Sequence, residues 1–267
     1  MSSNSKIKVV AAQNDALQGS SKASDMSIIA GNRSRLGEDG SLITTHQEFG
    51  IKCLVDVNRA FFSARMGPER IRLCNCVSRG EDVLSLFSGV GLEGLMIAGR
   101  REIKGITFVE LNPAAVNCIK RGLELLGRNK AVVVKGGGSV AKSRAKVIEG
   151  DALEVLSGME DDAFDRVIAP RPKEGGKDGD LSTSLCGVEY LSALVPKLKD
   201  RGEVHWYDFA SDVELEGGLV RTKTSIKEAV VGLGLDVEFL HAGKAGSGTI
   251  AKRQYRVCVD FRILKKA

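Results

Sequence analysis

The chain has 267 residues, of which 43% are hydrophobic and 27% charged, and a formal net charge of +5. That length holds one full α/β core with an appendage, and no apolar run approaches the roughly 20 residues that cross a bilayer. The mildly basic balance suits contact with a phosphate backbone, but many soluble proteins share it.

Residues 1–40 are Ser-, Asn- and Lys-rich around one short apolar patch, Met26–Gly31 (MSIIAG), and read as a poorly ordered or partial N-terminal region. The opening MSSNSKIKVV lacks the apolar stretch of a secretory signal, so a cytoplasmic location is expected. The Ser- and Lys-rich composition also leaves a mitochondrial transit peptide or a nuclear location open. From Leu42 to Val57 two β-prone runs flank Gly50, which predicts a small antiparallel unit separate from the main sheet. Residues 41–75 are read as a small subdomain leading into the active site, and 76–267 as the catalytic domain.

From Glu81 onward a rhythm sets in. Strand-length apolar runs fall at 82–87, 105–111, 146–150, 165–169, 203–209, 235–241 and 254–263. Helical patterns separate most of them, notably Pro113–Leu126, with proline in the first turn where its missing N–H costs nothing, and Leu181–Leu198. Alternating strands and helices predict an α/β fold, a mainly parallel seven-strand sheet covered by helices on both faces. The last two runs lack a helix-length connection, so the final strand is expected to insert antiparallel. The Gly-rich, basic stretch Lys130–Lys146 breaks the rhythm and reads as a flexible insertion.

The first strand runs into Phe87-Ser-Gly89-Val-Gly91-Leu-Glu-Gly94, a GxGxxG between strand and helix. Glycines there let the backbone turn tightly and approach a ligand. Glu110 ends the next strand, 21 residues after Gly89, where a carboxylate can grip the hydroxyls of a ribose. The pattern fits a nicotinamide dinucleotide as well as S-adenosyl-L-methionine. The Glu110-Leu111-Asn112-Pro113 junction, the Gly150-Asp151-Ala152 loop with an acid for the adenine amino group, and the reversed last strand favour S-adenosylmethionine. Phe87, Gly89, Gly91, Glu110, Leu111, Asp151 and Ala152 are the expected cofactor contacts.

The six cysteines form no CxxC pair and mostly sit in apolar runs, and His46, His205 and His241 are scattered. Free thiols in a reducing compartment are expected, with neither disulfides nor a metal.

In order and with compatible spacing, His46–Gly50 (HQEFG), Val55–Val57, Phe61–Arg70 (FFSARMGPER), Leu86–Gly91, Glu110–Pro113, Gly150-Asp151, Asp165-Arg166 and His205–Phe209 (HWYDF) resemble the tRNA guanine-37 N1-methyltransferase family. The likeness covers roughly residues 25 to 263. It implies the seven-strand fold of class I methyltransferases, S-adenosylmethionine as cofactor, tRNA as partner and methyl transfer to N1 of guanosine 37. A monomer that binds neither membrane nor metal is expected.

Guanine N1 carries a proton at neutral pH and must lose it before attacking a methyl group. Negative charge then builds on O6, where an arginine can stabilise it. The resemblance gives the proton to Glu69 and places Arg65 and Arg70 near the base. Arg171 is a further substrate-binding candidate, because Ala169–Pro172 (APRP) stands where the family carries Asn-Leu-Pro. Ser85 replaces an aspartate, Glu110 an aspartate and Phe61 a tyrosine. The family often carries an extra N-terminal RNA-binding domain, so a short form, a fragment or a partner-dependent chain is expected. Two other functions remain: transfer of the aminocarboxypropyl group in wybutosine synthesis, and RNA binding without catalysis.

Overall fold

The computed structural model describes residues 7–14, 26–128, 145–171, 187–250 and 253–265. Its centre is one seven-stranded sheet ordered β10-β11-β9-β8-β5-β6-β7. The strands are β5 (Asp82–Ser85), β6 (Gly105–Glu110), β7 (Ala145–Glu149), β8 (Phe164–Ala169), β9 (Leu198–Ser211), β10 (Asp236–Lys244) and β11 (Gln254–Leu264). Strands β7, β6, β5, β8 and β9 pair in parallel, and β11 runs antiparallel to both its neighbours. This is the expected arrangement with one reversed strand. The chain leaves β5 in one direction and resumes at β8 on its other side, so a crevice opens at the carboxyl ends of β5 and β8.

Helices cover both faces. On one side α1 (Gly67–Cys76), α2 (Leu92–Arg100) and α3 (Pro113–Arg128) pack over a core that includes Leu95, Ile97, Phe108 and Ile119. On the other, α4 (Ala152–Ser157), α5 (Gly187–Leu194) and α7 (Val220–Gly232) cover Leu84, Val167, Trp206 and Phe261; the short α6 (Asp212–Glu216) follows β9. The central strands are apolar on both faces, as a sheet buried on both sides requires.

The N-terminal unit is more ordered than expected. Strands β1 (Val9–Gln13) and β2 (Met26–Gly31) pair antiparallel within the stretch read as poorly ordered, and the Met26 amide donates to Asn58 Oδ1 at 2.9 Å. Two isolated strands form little core, which is why composition alone pointed to disorder. Strands β3 (Ile43–Glu48) and β4 (Ile51–Asp56) form the expected hairpin. Its two-residue turn has positive φ at Phe49 (47°) and Gly50 (85°), the type I′ geometry whose twist matches that of the strands. Ile51, Cys53 and Val55 alternate inward and are buried, and the hairpin packs against α2 and α3.

Most boundaries shift by one to three residues, and two differ further from the sequence reading. Strand β9 begins at Leu198 rather than 203, running through Arg201 (φ 60°) and Gly202, whose sequence resembles a turn. The helix read over 181–198 is α5 followed by a short 3-10 turn, Val195–Lys197, and residues 181–186 lie outside the described residues. So do 130–144 of the Gly-rich stretch, as well as Pro172.

Candidate cofactor and base site

Three loops meet at the carboxyl edge of β5, β6 and β7. The first leaves β5 through Phe87, Gly89 and Gly91, all at positive φ (49°, 54° and 79°). A Cβ on Gly91 would fall 2.7 Å from Ile119 Cγ1, and one on Gly94 would collide with the Phe108 ring. These two glycines therefore let α2 lie close on the sheet and on α3. Gly89 is different: the nearest atom to an added Cβ is the Phe61 carbonyl oxygen at 3.5 Å, so its backbone angle is what calls for glycine.

Glu110 links this loop to the next. Its Oε2 accepts the Gly89 amide at 2.7 Å and its Oε1 the Asn112 amide at 2.8 Å. Burial pushes the carboxyl upward, and the amides of Asn112, Gly89 and Leu111 offset part of that rise. A carboxylate has about four acceptor positions, so capacity remains for a ribose hydroxyl. The Gly150 amide donates to the Glu110 carbonyl at 3.0 Å, which brings the third loop alongside. There Asp151 caps α4, its Oδ1 accepting from Leu153 N (2.8 Å) and Glu154 N (3.3 Å), while Ala152 is buried. Leu111 is exposed at the rim, and Phe87 meets Tyr190 of α5 edge to face at 5.1 Å. All seven expected cofactor residues thus lie on these three loops. The glycine cradle and acceptor set fit a nucleoside.

Asn112, noted in the sequence only as part of the junction after Glu110, joins this cradle to the N-terminal unit. Its Nδ2 donates to the Arg59 carbonyl at 2.6 Å, while its Oδ1 accepts the Ala114 amide at 2.9 Å. The signal was present in the Asn-Pro step, where asparagine caps and proline opens a helix. Asp56 shapes the same turn from the other side, accepting the amides of Leu42, Asn58 and Arg59 and the Arg59 Nε.

The residues expected to act on the base are spread over different places. Arg70 is buried and fully engaged, bonded to both oxygens of Glu48 (2.9 and 3.0 Å), to Glu93 (3.0 Å) and to the Ser63 carbonyl (2.9 Å). It joins β3, α2 and the 61–66 segment, and has no fork left for a substrate. Arg65 is exposed; its Nη1 donates to the Thr249 carbonyl at 3.3 Å, and its own carbonyl accepts the Ser247 amide at 3.1 Å. Glu69 is buried, with Oε1 accepting from Arg72 Nη2 and the Tyr207 hydroxyl, both at 2.7 Å, and Oε2 from Arg72 Nε at 2.9 Å. Arg171 lies on the other face, where its Nη2 donates to Asp208 at 2.8 Å beneath a tight turn closed by the Arg171 amide on the Ala169 carbonyl. Glu69 and Arg171 therefore flank β9 from opposite sides.

Glu69 ends a buried polar chain. Arg166 holds Glu81 (2.7 and 3.0 Å), Glu203 (2.7 Å) and His205 Nε2 (2.8 Å); His205 Nδ1 lies 2.8 Å from Asp260; and Asp260 pairs with Arg72. A guanidinium only donates, so His205 Nε2 must accept and Nδ1 carry the proton to Asp260. Burial would raise the Asp260 carboxyl, but His205 and Arg72 outweigh it and hold it well below the usual aspartate range. His205, Cys258 and Asp260 are close enough together to hold an ion. Arg72 already bonds Asp260 and Cys258, and Arg166 bonds His205, so cationic groups occupy those donors.

Residues 44–233 match the model of the TRM5/TYW2 methyltransferase domain. The chain is 27% identical over 220 residues to the tRNA (guanine(37)-N(1))-methyltransferase Trm5b of Pyrococcus abyssi, covering 82% of this chain and 55% of that protein. It is 30% identical over 175 residues to the tRNA 4-demethylwyosine(37)-methyltransferase Taw21 of Saccharolobus solfataricus, covering 66% and 55%. The chain spans about half the length of the curated relatives it matches. The crystal structure of P. abyssi Trm5b superposes with a TM-score of 0.73 at 24% identity, covering 98% of this chain and 66% of that one, which shows a shared fold. The glycine cradle, the acid that closes it and the matched family domain together assign the chain to the TRM5/TYW2 methyltransferase domain family.

Proposed function

We propose that the chain binds S-adenosyl-L-methionine at the Gly89–Glu110–Asp151 cradle and directs methyl transfer to N1 of guanosine 37 in tRNA. The observation that carries this is Glu110, one carboxylate closed onto Gly89 and Asn112 with acceptor capacity left for a ribose. When bound, the cofactor supplies an electrophilic methyl carbon on a sulfonium. Glu69 takes the N1 proton through Oε2, the oxygen with only one donor on it, while Arg72 and Tyr207 fix its orientation. The proposed enzyme acts as a monomer on tRNA in the cytoplasm.

Similarity to Trm5b over most of the chain supports methyl transfer at guanosine 37. Titration calorimetry with S-adenosylmethionine, followed by mass spectrometry of nucleosides from tRNA incubated with both, tests the reading. N1-methylguanosine at position 37 supports it. A heavier adduct at that position would identify aminocarboxypropyl transfer, and cofactor binding with no adduct would sink transfer altogether.

A further inference from the structure

One guanidinium on α1 serves two carboxylates. In the antiparallel ladder of β9 and β11, Tyr207 is paired in register with Cys258 and His205 with Asp260. Glu69 and Arg72, three residues apart on α1, lie over these two rungs. Arg72 forks onto both oxygens of Glu69 (2.7 and 2.9 Å), its Nη1 is bonded to Asp260 Oδ2, and its Nη2 lies 3.3 Å from Asp260 Oδ1. Burial would lower the guanidinium's pKa, but its bonds to Glu69 and Asp260 outweigh that and hold it firmly protonated. The side chains of Glu69 and Asp260 are only 4% and 5% exposed. An ion pair three apart on a helix surface is worth little and involves no second acid. Here the fold brings one in from β11.

Two buried acids on one cation do not behave alike. When carboxylates share a site, one keeps its charge and the other accepts a proton more readily. Asp260 is the one that keeps it. Besides Arg72, it takes the Nδ1–H of His205 at 2.8 Å and the Cys258 thiol at 3.1 Å. Arg166 occupies Nε2 of His205 and so locks that donor in place. Glu69 has the Arg72 fork and the Tyr207 hydroxyl, and its Oε2 meets one donor only. The titratable and charged groups facing Glu69 are Arg72 on its own helix, Tyr207 on β9, and Cys258 and, through Arg72, Asp260 on β11. Arg256 of β11 lies 5.5 Å from the Tyr207 ring centroid.

We propose that Asp260 is a positioning residue for the transfer: as a second, permanent counter-charge it lets Glu69 take up the N1 proton without stranding the buried Arg72 cation. The assignment rests on the guanine-methylation reading above. In that step the N1–H bond breaks and the proton passes to Glu69. The electron pair left on N1 forms the bond to the methyl carbon, and the carbon–sulfur pair departs with sulfur. Glu69, Arg72 and Asp260 carry one net negative charge before the step and none after it, so the guanidinium stays paired throughout. Without Asp260 the same step would leave an uncompensated buried cation, and Glu69 would hold its charge more tightly.

The test follows single-turnover methylation of tRNA against pH for wild type, Asp260→Asn, Asp260→Glu and the double variant Arg72→Met/Asp260→Asn. Each is assayed at a temperature where circular dichroism shows it folded. In Asp260→Asn the pH at half-maximal rate is expected to move down by about one unit, the low end of the effect of one neighbouring charge. Its plateau rate falls about tenfold, part of the general-base contribution. Asp260→Glu recovers most of the wild-type profile. The double variant moves the half-maximal pH the other way, above wild type, because a buried Glu69 with no cation beside it accepts a proton more readily. A loss of stability alone gives no such opposed shifts. Calorimetric affinity for S-adenosylhomocysteine stays at the wild-type value throughout; a matching fall there marks a general loss of structure and overturns the proposal. An unmoved half-maximal pH in Asp260→Asn, however slow the variant, overturns it too. So does a double variant whose half-maximal pH lies at or below that of wild type, and this result decides alone if Asp260→Asn fails to fold. If wild type binds cofactor but methylates no guanosine, the methyltransferase reading falls and this one with it. An active wild type whose pH profile Asp260→Asn leaves in place removes this one only.

Discussion

Asn112 Nδ2 donates to the Arg59 carbonyl at 2.6 Å, and that bond fastens the N-terminal unit to the loop that holds the cofactor acid. The same side chain caps α3 through Oδ1. One residue therefore sets both where α3 starts and how the Phe61–Arg70 segment enters the site.

Replacing Asn112 with alanine removes the cap and leaves the Arg59 carbonyl without that donor. The cap alone is worth about 1 kcal/mol, and a stranded buried carbonyl adds roughly 1–3 kcal/mol. Urea unfolding should show a loss of that order, with faster proteolysis between residues 56 and 63. An unchanged midpoint would mean that the two units are held together by packing alone.

The two glycines of the bend should respond differently to alanine. At Gly91 the new methyl meets Ile119 at 2.7 Å as well as an unfavourable φ, so overpacking of about 1–3 kcal/mol adds to the backbone strain. At Gly89 there is room, and the cost is the left-handed backbone alone, about 1–2 kcal/mol. Gly89→Ala should fold and lose cofactor affinity; Gly91→Ala should lose both stability and affinity. Equal melting temperatures for the two variants would contradict the packing described here.

Cofactor affinity should depend on the charge of Glu110. Burial raises its folded pKa, so the protonated form appears at a higher pH than for an ordinary glutamate. A ribose hydroxyl donates best to the ionised form. Calorimetry from about pH 8 to about pH 5 should therefore show affinity falling before the reference glutamate value near 4.3 is reached. Glu110→Gln should be weak throughout and nearly flat over that range.

Asp260 predicts the opposite sense in folding. Its folded pKa lies below its unfolded value, so its contribution to stability is complete above the ordinary aspartate range near 3.9 and is lost as pH falls through the depressed folded value. Asp260→Asn should lower stability at neutral pH and flatten the acid limb of the unfolding curve. An identical acid limb in wild type and variant would show that Asp260 does not carry that linkage.

Glu69→Gln tests the base directly. It weakens the Arg72 fork and removes the proton acceptor while leaving the cradle intact. Methylation should fall by about 10²–10⁴, the span of general-base contributions, with cofactor affinity unchanged. A variant that methylates at the wild-type rate would free Glu69 from that role.

The sheet was readable because buried parallel strands are continuous apolar runs separated by helical periods, and because glycines at 89, 91 and 94 followed by an acid at 110 form a local pattern. The start of β9 was not, since Lys199–Gly202 has the composition of a turn and lies as an irregularity between Leu198, paired with Phe164, and Glu203, paired with Arg166 and Arg262. Which arginine meets which carboxylate was equally invisible. Arg70 lies in a motif and looks available; its partners Glu48 and Glu93 come from β3 and α2. Arg256 sits in an ordinary strand, bonds the Arg171 carbonyl and has no carboxylate partner among the described residues. Local sequence encodes backbone period well, but not which charges meet across the fold.

The clasp between Arg65 and the loop after β10 has a consequence for how the chain is made. The Ser247 amide reaches the Arg65 carbonyl, Arg72 pairs with Asp260, and Glu69 with Tyr207. Contacts separated by so much sequence form late, because long loops must close first. On a ribosome, α1 would emerge early and wait for the last strand of the sheet to leave the exit tunnel. Until then Glu69 and Arg72 have no dock, so a nascent chain stalled before β11 would carry a complete nucleotide cradle and no assembled base pocket.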